Sequence, residues 1–346
     1  MDKHIKLLKV FTNPTLPVTR GAELIAAMRN KNNGNLAKPD LPAFQKIRHQ
    51  TTNFIILRNP STENINELKR IYDFHPLHLE DIISTVQRPK IDEEDEYVFF
   101  VFHFPQFNPK TNKIFSIEVD FFLTENDLIT VIDPGFMAME EIFERITKNK
   151  NEREAYFAGG AGMLLYRILD NLVDSIFPLL DMFERTLEEI DTEVFSASPR
   201  DVTEHLSFLR RNVIFFQSLI KPELNSFARI EQSTHPFIDE ELKDYLANIT
   251  DHLKKIWDRL EDVIELSNNL SQTFESYLTF RTNETIKILT MFSVILLPLT
   301  LLSGIYGMNL AFLPFAQHPL ALVYLSFIMA TIILAMIAFF KYKKWI

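Results

Sequence analysis

The sequence predicts a mixed α/β domain with a mainly antiparallel sheet and flanking helices, followed by a very long helix and two membrane-spanning helices. Up to Gly135, short runs rich in Val, Ile and Phe alternate with turn residues, as in strands. Beyond that point apolar residues recur every three or four positions, as in helices. The region 288–340 contains no Asp, Glu, Lys or Arg, and one helix crosses a bilayer with ~20 apolar residues.

The composition narrows the class of protein. The chain has 346 residues, no Cys and a net charge of −10. Without Cys there is no disulfide framework and no thiolate metal site, and an acidic chain favours cations over nucleic acid as partners. No nucleophile motif, P-loop or dinucleotide fingerprint is present, so we expect neither an enzyme nor an ATP-driven pump, and no organic cofactor. No cleaved signal peptide is visible.

The first domain is expected to span residues 1–235. Its strands are predicted where β-branched and aromatic residues cluster between turn residues, at Ile5–Phe11, Phe54–Leu57, Tyr97–Phe104, Ile114–Leu123 and Leu128–Ile132. Its first helices are predicted from apolar residues on one face, at Ala22–Arg29, Thr62–Tyr72 and Ala138–Lys148. The charged run Asp92–Glu96 is interpreted as a solvated turn before a strand, in preference to a cation site.

A pair of antiparallel helices at about 162–221 completes this domain. The first, Gly162–Phe195, is strongly acidic and is expected to bend at its proline, Pro178. The second has a good start at Ser198-Pro199, with Ser as the N-cap and Pro at the first helical position. We expect this second helix to end before Pro222, because proline cannot donate to the helix.

The next helix is predicted to run without interruption from Asp239 to Ile305, roughly 100 Å at ~1.5 Å per residue. Its first part, 236–287, is a stalk outside the membrane. Apolar residues spaced four and three apart form a seam, with Ser267 as its one polar member: Leu242, Leu246, Ile249, Leu253, Ile256, Leu260, Val263, Leu270, Phe274 and Tyr277. Such a seam packs against other helices. Nothing upstream matches its length, so we expect its partners to be copies of itself.

The uncharged region is predicted to form two transmembrane helices, 288–306 and 320–340, joined by a turn at 307–319. Basic residues flank the spans on one side only, at Arg281, Lys287, Lys341, Lys343 and Lys344. The positive-inside rule then places both termini in the cytoplasm of a multi-pass protein of the cell membrane. The basic tail 341–346 is interpreted as a membrane anchor, in preference to a cluster that tunes cation flow at the inner mouth.

One face of the first span carries most of its polar groups. Residues three or four positions apart define this face: Asn283, Ile286, Leu289 or Thr290, Ser293, Leu297 and Thr300. A ring of identical first spans can enclose a water-filled path, and polar groups that face lipid are costly. We interpret the face as pore-lining. The alternative is that Ser and Thr bond only to their own helix backbone.

The turn that follows the first span suits an outer filter for a hydrated cation. Gly307 is expected to allow a backbone turn that other residues resist. Asn309 supplies a neutral amide oxygen at the outer end of the path. Mg²⁺ is small and gives up water reluctantly, so a ring of amide oxygens can contact its hydration shell without trapping the ion.

Two motifs resemble the CorA family of magnesium and cobalt transporters. One is Tyr306-Gly307-Met308-Asn309 between two spans, with Pro298 and Gly304 before it and Lys341-Tyr342-Lys343-Lys344-Trp345-Ile346 after it. The other is Phe74-His75-Pro76-Leu77-His78-Leu79-Glu80-Asp81, then Gln87-Arg88-Pro89-Lys90-Ile91 and Tyr97-Val98. The resemblance covers 72–104 and 281–346. It implies a homopentameric funnel in membrane lipid, with Mg²⁺ both transported and bound between cytoplasmic domains to hold the channel closed.

The resemblance also assigns site residues. The outer selectivity filter would be Gly307, Met308 and Asn309, and the pore lining would be Asn283, Ile286, Leu289, Leu297 and Thr300. The regulatory metal site would include Glu80 and Asp81. Its stalk partner is an aspartate in well-known members and Asn248 here, so Asp251 and His252 are the substitutes, with Asp170 or Asp174. The outer loop Leu310–Pro319 has no acidic residue, where many members carry a glutamate.

Three functions remain open at this point. The first is Mg²⁺ uptake driven by the membrane potential and gated by internal Mg²⁺, with Co²⁺ or Ni²⁺ as further ions. The second is a Zn²⁺, Co²⁺ or Ni²⁺ transporter on the same fold. The third is a membrane-anchored sensor without ion flux. His75 and His78 could share a metal, but the intervening Pro76 favours a structural role.

Overall fold

The computed structural model describes residues 43–58, 60–83, 88–133, 135–308 and 318–345. The strand predicted at Ile5–Phe11, the helix predicted at Ala22–Arg29 and the filter residue Asn309 lie outside these ranges. The chain divides into two compact units, the first ending at Asn268 and the second running from Asn269 to Ile346. Each unit is described by itself.

The first unit is built on a six-stranded sheet with the order β1-β2-β6-β5-β4-β3. The strands are β1 Phe44–His49, β2 Thr52–Arg58, β3 Lys90–Glu94, β4 Tyr97–Asn108, β5 Lys113–Leu123 and β6 Asp127–Ile132. Only the pairing of β2 with β6 is parallel, among the pairings in the described residues. The predicted mainly antiparallel sheet is therefore confirmed.

Two strands were missed, and both lie at the edges of the sheet. The interpretation of Asp92–Glu96 as a solvated turn was wrong for its first half, because Asp92–Glu94 belongs to β3 and pairs with Tyr97–Phe99 of β4. An edge strand has one row of neighbours and one solvated side, so it tolerates charged residues that obscure the strand pattern.

Helices cover both faces of the sheet. On one face lie α1 (Thr62–Ile71) and α2 (Pro76–Asp81), over a buried cluster formed by Ile55, Leu57, Ile65, Leu68, Phe74, Leu79, Ile82, Tyr97, Phe99, Val101, Phe122, Ile129 and Val131. Phe74 stacks on Phe122 with ring centroids 4.2 Å apart. Each such fully buried side chain stabilises the fold by about 1.5–3 kcal/mol. The face thus holds α2, and the motif it carries, firmly against the sheet.

The opposite face packs against later helices: α3 (Met137–Lys148), α4 (Lys150–Phe157), α5 (Gly160–Asp174) and α7 (Pro199–Ile230). The helix α6 (Phe177–Glu193) packs on α7. Phe143 of α3 contacts Phe54, and Phe227 of α7 stacks on Phe102 at 5.0 Å. Aromatic side chains of the sheet, which sequence alternation places inward, therefore set the position of α3 and α7 on this face.

The acidic helix differs from its prediction as one bent helix. It is two helices, α5 and α6, because the helix ends at Asp174 and restarts with Pro178 in the first turn of α6. The end predicted for the next helix was also wrong. Ser198 caps α7 as expected, accepting from the Asp201 N–H, but α7 continues through Pro222 to Ile230. Packing of the second half of α7 on β4 outweighs the single lost hydrogen bond.

The long helix α8 runs from Glu240 to Tyr306, 67 residues, within one residue of the prediction at each end. The prediction that the seam packs against copies of the same helix was wrong within the first unit. Leu242 to Val263 of the seam are already buried in the single chain. The partners are α5, α6 and α7: Tyr245 contacts Tyr166, Arg259 pairs with Glu184 at 2.6 Å, and Asn268 accepts from Arg210 at 2.7 Å.

The second unit contains the last part of α8 and α9 (Ala321–Tyr342). Both helices are long and apolar enough to cross a membrane. Their apolar side chains are largely exposed in the single chain, as for Leu297 at 69% and Leu322 at 79%. At the end of α9, the Trp345 ring stacks on Phe340 at 5.7 Å. An apolar surface of this extent requires lipid or other helices around it.

Candidate cation pathway and regulatory metal centre

The polar face of the first span lies on a regular helical stretch of α8. The hydroxyls of Thr290, Ser293 and Thr300 each donate to the carbonyl four residues earlier, at 2.8, 2.9 and 2.8 Å. This is the backbone bonding that the sequence left as the alternative. The hydroxyl oxygens remain available as acceptors, because a hydroxyl that donates its hydrogen keeps its lone pairs. These oxygens can therefore still face the water shell of a cation.

The other members of this face are exposed in the single chain. Asn283 is exposed, and Ile286, Leu289 and Leu297 are 54%, 66% and 69% exposed. In a ring of first spans, rings of Ile and Leu can close a path to water by dewetting, while the amide and hydroxyl oxygens can hold a hydrated ion. The face therefore combines the two kinds of lining that a cation path requires.

Gly307 is required for a different reason from the one predicted. Its backbone is not in the left-handed region; its N–H donates to the Ser303 carbonyl at 2.9 Å, which ends α8. An added Cβ would lie 3.0 Å from that carbonyl oxygen. Any larger residue would push the turn away from the helix end. Gly307 and the exposed Met308 thus place the start of the turn tightly against the top of α8.

The proposed regulatory residue Asp81 lies in a charged cluster on one side of the sheet. Its Oδ2 is 2.8 Å from Lys90 Nζ, which is also 2.7 Å from Asp92 Oδ2. Desolvation lowers the pKa of Lys90, but the hydrogen bonds that its ammonium donates to Asp81 and Asp92 outweigh this effect and raise that pKa. Lys90 therefore stays charged, and its ammonium group occupies the position next to Asp81 that a bound metal cation would take.

A buried carboxyl that the sequence analysis missed shares this electrostatic environment. Asp120 is 4% exposed in the middle of β5, and its Oδ1 has no hydrogen-bond partner among the described residues. Burial, then the charges of Glu118 and Asp81, raise its pKa well above the ordinary value. The Asp120 carboxyl therefore keeps its proton to a higher pH than an exposed aspartate does. Lys90 and Asp92 could have been found from their spacing of two, had Lys90–Glu94 been identified as a strand.

The stalk residues proposed for the same site have partners of their own. Asp251 is 3.1 Å from Lys254, and His252 Nδ1 lies 3.6 Å from Asp174 and 3.9 Å from Asp170 on α5. Across the described residues of one chain, no three His, Asp or Glu side chains are grouped so that they could hold a metal. A centre formed by Glu80, Asp81, Asp251 and His252 would therefore need ligands from more than one chain.

The pair His75 and His78 has a structural role. His78 Nδ1 is 2.7 Å from the Tyr97 hydroxyl, and its Nε2 is 3.3 Å from Asp92. The His75 ring accepts from the Leu77 N–H at 3.2 Å and so caps α2, with Pro76 in the first turn. Burial is the first cause that lowers the pKa of His78, followed by the charge of Lys90. The two rings hold α2 on the sheet.

These features define a class of protein: a membrane protein whose soluble sheet domain continues through one helix into an uncharged hairpin with a polar, cation-compatible face. A model of the family described as "CorA-like Mg2+ transporter protein" matches residues 49–344. The chain therefore belongs to the CorA-like Mg²⁺ transporter family, whose members transport divalent cations across membranes.

Individual relatives agree with this assignment. The chain is 28% identical over 285 residues to the cobalt/magnesium transport protein CorA of Thermotoga maritima, covering 82% of this chain and 80% of that one. It is 29% identical to a metal ion transporter, YfjQ, of Bacillus subtilis, over 80% of this chain and 85% of the relative. The complete structure of the CorA magnesium transporter from Methanocaldococcus jannaschii has a TM-score of 0.77, 20% identity, and coverage of 89% and 95%.

Proposed function

We propose that the chain forms a homopentameric channel for Mg²⁺ uptake across the cell membrane, with both termini in the cytoplasm. The spans would be 288–306 and 320–340. The observation that carries this proposal is the polar face of the first span, which ends at a tight turn opening the sequence Gly307-Met308-Asn309. Asn283, Ile286, Leu289, Leu297 and Thr300 would line the path. The filter would be Gly307, Met308 and Asn309.

Transport through such a path needs no chemical fuel. A divalent ion that moves inward gains roughly 4.6 kcal/mol per 100 mV, twice the value for a single charge. This gain exceeds the cost of moving the ion against a moderate concentration gradient, with the higher concentration inside the cell. The membrane potential is therefore a sufficient driving force for uptake, which fits the absence of a P-loop in the sequence.

Internal Mg²⁺ would regulate the channel through a site shared between neighbouring chains. The proposed ligands are Glu80 and Asp81 of one chain with Asp251 and His252 of the next. The lack of a three-ligand group within the described residues of one chain supports a shared site over an internal one. Filled sites would tie the sheet domains together and hold the path closed.

A transporter for Zn²⁺, Co²⁺ or Ni²⁺ is the second candidate. Relatives named zinc transport protein ZntB, such as that of Pectobacterium carotovorum, match at 19% identity over 69% of this chain. The 28% match to a protein named for cobalt and magnesium covers more of the chain and favours those two ions. Competition of each ion against Mg²⁺ uptake, with and without a membrane potential, separates the two candidates.

The filter assignment is tested by Asn309→Ala in proteoliposomes. We expect Mg²⁺ flux without ATP in the parent protein and a fall of about tenfold or more in the variant, because every chain of the ring loses its amide oxygen. Asn269→Ala, the same change on an exposed residue of α8, is the control and should leave flux unchanged. Undiminished flux in the Asn309 variant would exclude the filter; no flux in either protein would exclude the channel.

A further inference from the structure

A groove in the first unit, which shares no residue with the assigned cation path, is lined by three positively charged side chains. It lies between α7 and the sheet, where Arg88 and Pro89 precede β3, His103 belongs to β4 and Ser116 belongs to β5, and its volume is about 660 Å³. Arg88, Lys221 and Arg229 line it, and no Asp or Glu does so among the described residues. This is unexpected in a chain with 46 acidic and 36 basic residues.

The three cations have no ion pairs among the described residues, whereas several other basic residues of the first unit do. Lys90, Arg58 and Arg259 all pair with carboxylates within 2.6–2.8 Å. In the part of the chain that the structure describes, no carboxylate lies within ion-pair distance of Arg88, Lys221 or Arg229. Three unpaired cations at one groove repel each other and create a positive potential that attracts an anion.

The side chains present favour phosphate over a simple inorganic anion with one charge. Two of the three cations are arginines, whose planar guanidinium forks match phosphate oxygens with paired hydrogen bonds. The groove volume lies within the usual range for an organic ligand, about 300–1,000 Å³. The ligand is therefore expected to be larger than phosphate itself.

The wall formed by α7 adds an exposed aromatic ring and a carbonyl that lacks its usual helical donor. Phe215 is 37% exposed there, and an exposed aromatic ring is a stacking surface for a nucleobase. Pro222 has no N–H, so the Ser218 carbonyl, four residues earlier, lacks its helical donor. Both residues line the groove. A carbonyl without a donor can accept from the exocyclic amine of a base.

We propose that this groove binds a nucleoside phosphate, with Arg88, Lys221 and Arg229 on the phosphates and the base against Phe215. Because the chain carries no P-loop, the bound nucleoside phosphate would regulate the protein and would not serve as its fuel. This site is separate from the proposed filter and metal centre, so it stands or falls independently of the transport proposal.

Binding can be followed in the full-length protein through a tryptophan beside the groove. Lys221 Nζ lies 5.7 Å from the centre of the Trp257 ring, so a ligand that draws Lys221 away changes the fluorescence of Trp257. The chain has two Trp, and Trp345→Phe leaves Trp257 as the only reporter. ATP and tripolyphosphate are titrated in detergent with EDTA, which removes Mg²⁺ from the assay, and calorimetry provides the direct affinity.

We expect the parent to bind ATP with a Kd of about 1 mM or below. The double variant Arg88→Gln, Arg229→Gln should bind ATP at least tenfold more weakly. Phe215→Ser should weaken the binding of ATP but leave the binding of tripolyphosphate unchanged. Lys148→Gln, an exposed lysine on α3, is the matched control and should behave as the parent.

Three results would overturn the proposal. They are no binding of either probe by the parent, equal binding by the parent and the double variant, or dissociation of the oligomer in the double variant. The last result would show that the groove is filled by a neighbouring copy. Tighter binding of tripolyphosphate than of ATP would overturn the role of the base. No readout depends on ion flux, so failure here leaves the transport proposal untouched.

Discussion

At the scale of single residues, Glu223 is a buried carboxyl that makes stability depend on pH. It lies on α7, is 2% exposed, and its Oε1 accepts from the His103 N–H at the unpaired edge of β4, at 2.7 Å. Burial raises its pKa from 4.5 to about 8, and the hydrogen bond from His103 opposes that rise only in part. The folded protein therefore holds a proton at Glu223 near neutral pH that the unfolded chain releases.

This proton makes stability depend on pH. The folded state binds the proton more tightly, so stability is highest below pH 4.5, as far as this group is concerned, and falls as pH rises towards 8. Each unit between the two pKa values costs about 1.4 kcal/mol. Glu223→Gln keeps the acceptor for His103 but cannot ionise, so it should raise the melting temperature at pH 8 and flatten its decline between pH 5 and 8.

The control for this prediction is Glu204→Gln, the same change at an exposed position of α7. Melting temperatures of the full-length protein in detergent, measured from pH 5 to 8, separate the variants. If Glu223→Gln and the parent lose stability in parallel over that range, Glu223 is ionised in the folded protein and the interpretation is wrong.

Lys90 allows a second prediction at the same scale. Its ammonium group, 2.8 Å from Asp81 Oδ2, competes with any metal that Asp81 binds. Lys90→Met should lower the Mg²⁺ concentration that protects the protein from protease severalfold, because the carboxylate is freed and the repulsion of a cation is removed. Asp81→Asn should raise that concentration. Lys46→Met, on an exposed part of β1, is the neutral control.

The two changes must act in opposite directions if Asp81 is a metal ligand. Protection that responds to neither would exclude Asp81 from the regulatory site. Protection that is weakened by both would show that the Lys90–Asp81 pair only supports the fold.

At the scale of elements, α7 is tied to the β4–β5 hairpin by one amide. Asn212 is 3% exposed; its Oδ1 accepts from the Ile114 N–H at 2.8 Å and its Nδ2 donates to the Asn112 carbonyl at 3.2 Å. Asn212→Leu would leave both backbone groups without partners, at a cost of about 1–3 kcal/mol each. The melting temperature should fall by roughly 4–24 °C, at about 2–4 °C per kcal/mol.

Ile214→Ala, two residues along α7 and 51% exposed, is the control and should change the melting temperature little. A fall no larger than that of the control would mean that solvent replaces the lost amide at this position. The Glu223–His103 hydrogen bond and apolar contacts would then hold α7 on the hairpin.

The elements that the sequence predicted well are those with one dominant signal. In α8 an apolar seam runs from Leu242 to Tyr277 and no Gly or Pro occurs before Pro298, so the length of the helix could be predicted. The central strands were predicted because both of their faces are buried and apolar. Helix ends that depend on tertiary packing were not predicted. The helix α7 continues through Pro222 because its second half packs on β4, and no local sequence pattern indicates that contact.

The candidate sites divide in the same way. The face containing Thr290, Ser293 and Thr300 follows from helical spacing alone, since no break interrupts α8 there. The pairing of Lys90 with Asp81 and the burial of Asp120 depend on the register of three strands, which side-chain pattern does not fix at a charged edge. The seam was found, but its partners were not, because periodicity shows that a face is buried and not what buries it.

At the scale of the whole molecule, the seam of α8 restricts where chains can associate. Leu253 is fully buried within one chain, so the seam from Leu242 to Val263 is not available to other copies. Exposed apolar side chains of the second unit, such as Leu289 and Leu297, are the surface that remains for lipid and neighbouring spans. A homopentamer should therefore depend on the spans and leave the seam as an internal contact.

This view predicts the behaviour of two measurements together. The detergent-solubilised particle should have five times the 40.4 kDa of one chain after the detergent is subtracted. Leu253→Ala should lower the melting temperature, since a buried Leu→Ala change costs about 2–5 kcal/mol, while the folded fraction keeps the five-chain mass. Leu322→Ala, exposed on α9, is the control for stability. A particle of one or two chains would exclude the pentamer, and dissociation by Leu253→Ala without loss of stability would show that the seam joins separate chains.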